Sequence, residues 1–419
     1  MLTLDKSLKI SETIKSTRER RAGMTVKCYE VKVAKNHLDA VTLEKLGRVF
    51  PEARWLTNYA IAIGPFATDY KIKSIQVKAG DNFEERELNV ISSQMKQAII
   101  DQLKQDIINL SKMKQAGIKV GKLKFRKEVR IIPLKQNGIT YKIIDKRHIK
   151  VQNIGTLKVN GLDQMPENAE LANARLIKRH GDYYIQITAF LPKEEPMQEP
   201  LYIGIDFGIK NQLTLSNGVR INFKVPLVDE KIKKLQRSLK RKKVGSKRYR
   251  ETQLKLQKEY EHLANIRKDI ANKVGSYLVT NFALVSFQDD NIRGWERLWG
   301  EIVGATALGN VKTFLNDHGA QVIDPFYPST QECSQCHKRT KIPLSQRIFI
   351  CLYCGNVMDR DLNSAIDNAE EGLTVRRSLG LNKPLMPADD RTSTSMVEYF
   401  NNIPFVVASL VNETGRIAI

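Results

Sequence analysis

Four of the five cysteines, Cys333, Cys336, Cys351 and Cys354, fall within 22 residues as two C-x-x-C pairs, CSQC and CLYC, separated by fourteen residues. Two thiolate pairs on separate knuckles can close a tetrahedron around one Zn²⁺, and four soft ligands leave no open coordination position. The expected role is one structural Zn²⁺. A redox dithiol accounts for only one pair, and the remaining Cys28 makes no secreted disulfide framework. A second set consists of carboxylates at the ends of apolar runs: Asp206 in GIDFG, Asp289 and Asp290 in FQDDN, and Asp359 and Asp361 in DRDLN. Singly, each reads as a turn or cap residue. Gathered at one sheet edge, hard oxygen ligands bind Mg²⁺, and two such ions stabilise the attacking and leaving oxygens of phosphodiester cleavage.

A third set is KIKKLQRSLKRKKVGSKRYR, Lys231 to Arg250, with eleven Lys or Arg residues and no acid. Leu235 and Leu239 keep an apolar stripe in it. Its cations, among them Lys240, Arg241, Lys242, Lys243, Lys247 and Arg248, can therefore track phosphates without reading sequence. Lys122, Lys124, Arg126, Lys127 and Arg130 form a second basic set on a β-like run, where duplex contact and an ordinary exposed strand face are equal readings. His337, beside Cys336, reads as a polar loop residue and not as a fifth ligand.

The whole chain repeats the basic theme. Its 68 Lys and Arg against 46 Asp and Glu leave a net charge of +22 over 419 residues. Such an excess suits a polyanionic partner, with nucleic acid ahead of an anionic membrane. The length favours two to four compact units. MLTLDKSLKI has no apolar run of signal-peptide length, and no stretch approaches a bilayer span. The expectation is a soluble, cytoplasmic protein with no membrane partner, nucleoid-associated if prokaryotic. Absence of a P-loop or GxGxxG pattern argues against an ATP-driven recombinase or helicase.

The elements that must position these residues follow from periodicity. MTVKCYEVKVA alternates like a strand, and helical spacing then runs from His37 to about Gly117. Lys119 to about Pro192 turns to short β-like runs, and PKEEPMQEP, Pro192 to Pro200, reads as a linker. LYIGIDFGIKNQLTLSNG reads as two strands joined by a tight turn at Gly208 to Asn211. A long helical segment follows from about Asp229 to Asn281. ALVSFQDD gives a buried strand, WERLWGEIVGATALGNVKTFLNDHG a helix, AQVIDPF a strand and DRDLNSAIDNAEEG a last helix. The segment after Thr374 reads as a loose or partly packed tail.

The order GIDFG, basic helical segment, FQDDNIRGW, DPFYPSTQECSQC, CLYCG and DRDLNSA resembles the TnpB family of transposon-associated RNA-guided nucleases, relatives of the compact type V CRISPR effectors. The likeness is specific across Ile203 to Ala369, and RWLTNYA with the helix-then-β order is compatible with the family in the N-terminal half. The resemblance implies an α/β multidomain fold. Its parts are an RNase H-like RuvC nuclease domain with an inserted zinc ribbon, preceded by a β-barrel-like wedge domain with a helical recognition insertion. On that template residues 1–36 start the wedge, 37–118 form the recognition domain and 119–195 complete the wedge. Residues 196–331 and 357–373 form the RuvC-like domain around a zinc ribbon at 332–356, and 374–419 are a C-terminal tail.

The resemblance further implies a Mg²⁺-dependent endodeoxyribonuclease whose catalytic residues are Asp206, Asp290 and Asp361, with two Mg²⁺ per active site. Asp359 is the nearer competitor of Asp361. The middle motif departs from the family's Glu: aligning NIRGW without a gap to the EDLNVKG form puts Gln288 there, whereas the QDE form puts Asp290 there and keeps an acid. The implied partners are a transposon-derived guide RNA and a target double-stranded DNA, cut beside a short adjacent motif. Two alternatives accompany this reading: a nuclease-inactive, RNA-guided repressor, motivated by Gln288, and a transposase that joins DNA ends without a guide.

Overall fold

The computed structural model describes residues 2–80, 82–193, 199–226, 230–343, 345–381, 384–388 and 390–411. The chain divides into two units, residues 1–194 and 195–419. The linker read at Pro192 to Pro200 has its centre, 194–198, outside the described residues.

In the first unit, α1 (Leu2–Ala22) leads into β1 (Met24–Val33), whose alternating side chains bury Val31 and Val33. α2 (Ala40–Ile63), β2 (Ser74–Ala79), β3 (Asn82–Glu87) and α3 (Ser93–Gln115) follow. Asp39 caps α2 by accepting from the Thr42 N–H at 2.7 Å, the usual way to satisfy an orphan helix donor. The hairpin of β2 and β3 interrupts a region read as purely helical, because SIQVKA alternates with period two and Gly80, at a φ of 67°, lets the chain turn back. Then come β4 (Ile131–Leu134), β5 (Tyr141–Asp145), β6 (His148–Val151), β7 (Gly155–Asn160), β8 (Glu170–Arg179) and β9 (Asp182–Pro192). They join β1 in an antiparallel, nearly closed barrel-like sheet of order β4-β8-β9-β1-β7-β6-β5. Leu46, Phe50, Leu56, Met95 and Ile100 from the helices fill its core.

In the second unit, β10 (Glu199–Phe207), β11 (Leu213–Leu215) and β12 (Val219–Phe223) form an antiparallel meander. α4 (Glu230–Lys240) and α5 (Lys247–Asn281) then cross over to β13 (Phe282–Gln288), which pairs parallel to β10. α6 (Ile292–Gly304) and α7 (Leu308–Asp317) lead to β14 (Gln321–Ile323), parallel to β13. A two-stranded ribbon of β15 (Ile348–Ile350) and β16 (Val357–Asp359) leads into α8 (Arg360–Ser378). β17 (Met386–Pro387), α9 (Asp390–Asn401) and β18 (Val406–Leu410) complete the unit, with sheet order β14-β13-β10-β11-β12-β18.

Alternation along β10 sorts its residues. Ile203, Ile205 and Phe207 enter the core with Val274 and Leu278 of α5 and Leu315 of α7, while Gly204 and Asp206 face α8. A Cβ at Gly204 would lie 2.1 Å from the Ala365 carbonyl oxygen, and one at Gly372 would lie 2.3 Å from the Ser286 Cβ. Glycine at both contacts lets the helix rest directly on β10 and β13.

Two expectations are corrected here. The helix read across Asp229 to Asn281 is broken at 241–246, where Ser246 accepts from the Tyr249 N–H at 3.1 Å and so starts α5 as a cap. The segment after Thr374 is no loose tail over 390–411: Met396 and Phe400, one helical turn apart, are fully buried, and β18 pairs antiparallel with β12. Residues 412–419 lie outside the described residues. Among the described residues no helix is long and apolar enough to cross a membrane.

Candidate active site and metal-binding cluster

Asp206 is the penultimate residue of β10, Asp290 lies just beyond β13, and Asp361 is in the first turn of α8. Parallel pairing of Ile205 with Phe287 brings the first two strand ends together, and α8 delivers the third acid. Asp206 keeps a partly exposed edge, yet burial of its carboxyl, then the charges of Asp361 and Asp290, push its pKa well above the carboxylate range. A Ser364 hydrogen bond and Arg360 oppose the shift only in part. Burial likewise pushes Asp290 up to about 6, against the pull of Lys312. Asp361 accepts from Asn211 Nδ2 at 2.9 Å and has guanidinium groups of Arg360 and Arg347 at 3.5 and 3.6 Å. The three aspartates thus share one electrostatic neighbourhood. They are not one of the groups whose ligand atoms all lie within 4.8 Å of one another among the described residues.

The neighbouring residues are distinguished by what they bind. Asp359 caps α8 by accepting from the Leu362 N–H at 3.1 Å and pairs with Arg220 at 2.6 Å. Asp289 is exposed and pairs with Lys312 at 2.6 Å. The Gln288 amide donates to the carbonyls of Asp324, Pro325 and Tyr327 at 3.2, 3.0 and 2.6 Å, clamping the loop after β14. Its Oε1 accepts from Ser329 Oγ at 2.9 Å, and Ser364 Oγ donates to Ser329 Oγ at 2.9 Å. A hydrogen-bonded chain therefore runs Gln288, Ser329, Ser364, and it ends beside Asp206. Sequence reasoning missed Ser329, Ser364 and Asn211. Of these, only Ser364 carried a signal: it lies three residues after Asp361, on the same face of an evident helix.

The four cysteine Sγ atoms lie within 4.8 Å of one another, with Cys333 and Cys354 at 3.7 Å and Cys336 and Cys351 at 3.5 Å. A tetrahedral Zn²⁺ with bonds near 2.3 Å spaces its sulfurs about 3.8 Å apart, so the donor set fits that ion. Asn356 Nδ2 points at Cys333 Sγ at 3.7 Å. Asn363 joins this knuckle to α8, accepting from the Ser334 N–H at 3.0 Å and donating to the Glu332 carbonyl at 2.6 Å.

The basic residues lie on local surfaces. Lys240 ends α4, Arg241, Lys242 and Lys243 form the turn, and Lys247 and Arg248 open α5. All are exposed except Lys242, which is half-buried with its ammonium on Thr252 Oγ1. Lys122, Lys124 and Arg126 are exposed too, but the β-like run assigned to them is a loop. The Asn58 side chain takes both backbone groups of Arg126, at 2.7 and 3.0 Å, and leaves them no strand partner.

Two protein families match the chain. One, described as "Probable transposase" (OrfB_IS605), covers residues 185–295; the other, described as "Cas12f1-like, TNB domain", covers residues 312–367. A Streptomyces pristinaespiralis protein named "Putative RNA-guided DNA endonuclease" is 27% identical over 226 residues, which is 50% of this chain and 55% of that protein. One from Escherichia coli K12, named "Putative RNA-guided DNA endonuclease InsQ", is 26% identical over 225 residues, 46% of this chain and 54% of that protein. The chain spans about half the length of the curated relatives it matches. The first match takes in Asp206 and Asp290, and the second takes in the four cysteines and Asp361. Over these segments the chain is similar to transposase-related proteins and to proteins named as RNA-guided DNA endonucleases.

Proposed function

We propose that the chain is an RNA-guided, metal-dependent DNA endonuclease of the TnpB type, built on an RNase H-like RuvC domain with an inserted zinc ribbon. The observation that carries this is the buried Asp206 carboxyl, held at a strand end beside two further acids. Buried like charges are costly unless a cation neutralises them, and this all-oxygen donor set suits Mg²⁺. Asp206, Asp290 and Asp361 would hold the Mg²⁺ ions, which supply charge stabilisation at the attacking and leaving oxygens of a phosphodiester. The chain's own residues set the donors. Ser364 stands beside Asp206, Asn211 orients Asp361, and Arg347 and Arg360 temper the charge of Asp361. Asp359 and Asp289 are committed to Arg220 and Lys312, which favours Asp361 and Asp290 as the remaining acids.

The four cysteines would hold one structural Zn²⁺. A guide RNA and a target duplex are the partners, gripped by their backbones through basic surfaces such as Lys240 to Arg248 and Lys122 to Arg126. The first unit would be the wedge domain, with α2, the β2–β3 hairpin and α3 as its recognition insertion. The test is to incubate the protein and its copurifying RNA with a matched duplex and Mg²⁺. Strand breaks are expected, and Asp206→Ala or Asp361→Ala should lower the rate on the order of 10³-fold or more while target binding persists. Undiminished cutting would remove that residue from the site.

A second reading, an RNA-guided protein that occupies DNA without cutting it, is favoured by Gln288. Its amide donates to three carbonyls, which a carboxylate at that position could not do. Gln288→Glu discriminates the two. Cleavage that appears only in the variant supports the inactive reading; cleavage by the parent that falls in the variant supports Asp290 as the middle acid.

A further inference from the structure

Apart from the aspartates and the cysteines, His337, Asp367 and Glu370 bring one ring nitrogen and two carboxylate oxygens within 4.8 Å of one another. His337 sits on the turn after the first thiolate pair, its N–H donating to the Cys333 carbonyl at 2.8 Å and its φ at 56°. Asp367 and Glu370, three residues apart, share one face of α8. His337 Nε2 is 3.7 Å from Glu370 Oε2, and Nδ1 is 3.9 Å from Glu332 Oε1. Those gaps exceed hydrogen-bonding distance. The Nε2–Glu370 gap does match ligand atoms that each stand about 2.1 Å from a common ion, which lie roughly 3–4 Å apart, whereas Glu332 faces the other ring nitrogen.

Asp367 supplies the independent observation. It is 1% exposed, and Asn363 Nδ2 satisfies Oδ2 at 3.1 Å while Oδ1 has no hydrogen-bond partner. A buried acceptor left without a donor is costly. Glu332, Asp367 and Glu370 also crowd three acids around one imidazole, with Arg339 no nearer to Glu332 than 3.9 Å. A cation would satisfy the orphaned oxygen and the charge imbalance together.

The geometry points to a second metal site, on His337, Asp367 and Glu370 with Glu332 beside them, that takes a divalent transition-metal ion such as Zn²⁺. An imidazole among carboxylates selects ions of that softness over Mg²⁺. The ion would tie the first cysteine knuckle to the middle of α8 and so brace the helix whose first turn carries Asp361.

The test uses the full chain carrying Asp206→Ala and Asp361→Ala, so that ions at the aspartates do not contribute. The thiolates are filled with Zn²⁺, free metal is dialysed away, and Co²⁺ is titrated by calorimetry and visible absorption. One further equivalent of Co²⁺ is expected, with weak ligand-field bands and no thiolate charge-transfer band. Asp367→Asn and His337→Gln should each weaken that binding at least tenfold and leave one Zn²⁺ per chain in place. Co²⁺ should also raise the Tm of the parent and not of Asp367→Asn. Glu370→Gln, on the more exposed side of the cluster, repeats the comparison if Asp367→Asn loses its Zn²⁺. Absence of a saturable second equivalent, or one that these substitutions leave unchanged, overturns the proposal.

Discussion

The four thiolates come from 22 consecutive residues and a ribbon of two short strands, whereas Asp206, Asp290 and Asp361 meet only after β10, β13 and α8 have packed. The thiolate cluster is a local object whose ligand spacing is written in the chain. The aspartate cluster is a property of the sheet, and its acids are brought together against their mutual repulsion. A local site should fail by losing a ligand, and an assembled one should fail when its scaffold shifts.

The largest effect is expected at the local site. After dialysis that empties any site weaker than the cysteines, Cys351→Ser should take bound zinc from one equivalent to none at neutral pH by metal analysis, since a three-thiolate set loses most of its affinity. Retained stoichiometric zinc would break the four-thiolate assignment. For the assembled site the strongest probe never touches an acid. Gly204→Ala puts a Cβ against the Ala365 carbonyl oxygen, and should cost about 3 kcal/mol, read as a lower urea midpoint. An unchanged midpoint would mean that α8 does not rest on β10.

A pH titration of the metal-free chain sharpens the contrast. The folded pKa of Asp290, about 6, lies above the ordinary aspartate value. The folded chain therefore keeps a proton that the unfolded chain gives up between about pH 4 and 6, and stability falls across that window. Burial and the neighbouring acids raise Asp206 as well, so it adds to the fall. Asp290→Asn should remove its share, about 3 kcal/mol at pH 7, in chemical denaturation. A destabilised Asn variant at pH 7 would show that Asp290 is held by favourable contacts and not by crowding. The smallest effect belongs to neither cluster. Replacing Lys240, Arg241 and Lys243 by Ala should lower the slope of log K against log salt for RNA binding by about 2, and an unchanged slope would remove this turn from the interface.

The same contrast explains what could be read from sequence. Cysteine spacing gave the thiolate cluster directly. Motif order gave the three strand-end and helix-start segments, but not which acid in each faces inward. Asp359 and Asp361 both lie at a strand-to-helix junction, and only the cap bond to Leu362 and the ion pair to Arg220 separate them. Gln288 was weighed for charge alone, although its donors hold the loop at 324–329. Alternation misled at Lys122 to Arg130, because a β-like pattern makes a strand only where a partner edge is free, and Asn58 occupies that backbone instead. It misled again after Thr374, where Met396 and Phe400 had too short an apolar pattern to stand out from the polar residues around them.

Asn363 fastens the cysteine knuckle to α8 two residues beyond Asp361, through the Ser334 N–H and the Glu332 carbonyl. Peroxide that converts those thiolates to sulfenic acids would undo the fastening at its root. The chain therefore carries an oxidant sensitivity that no residue of the aspartate cluster possesses, and damage at sulfur would be felt at oxygen ligands further along the same helix.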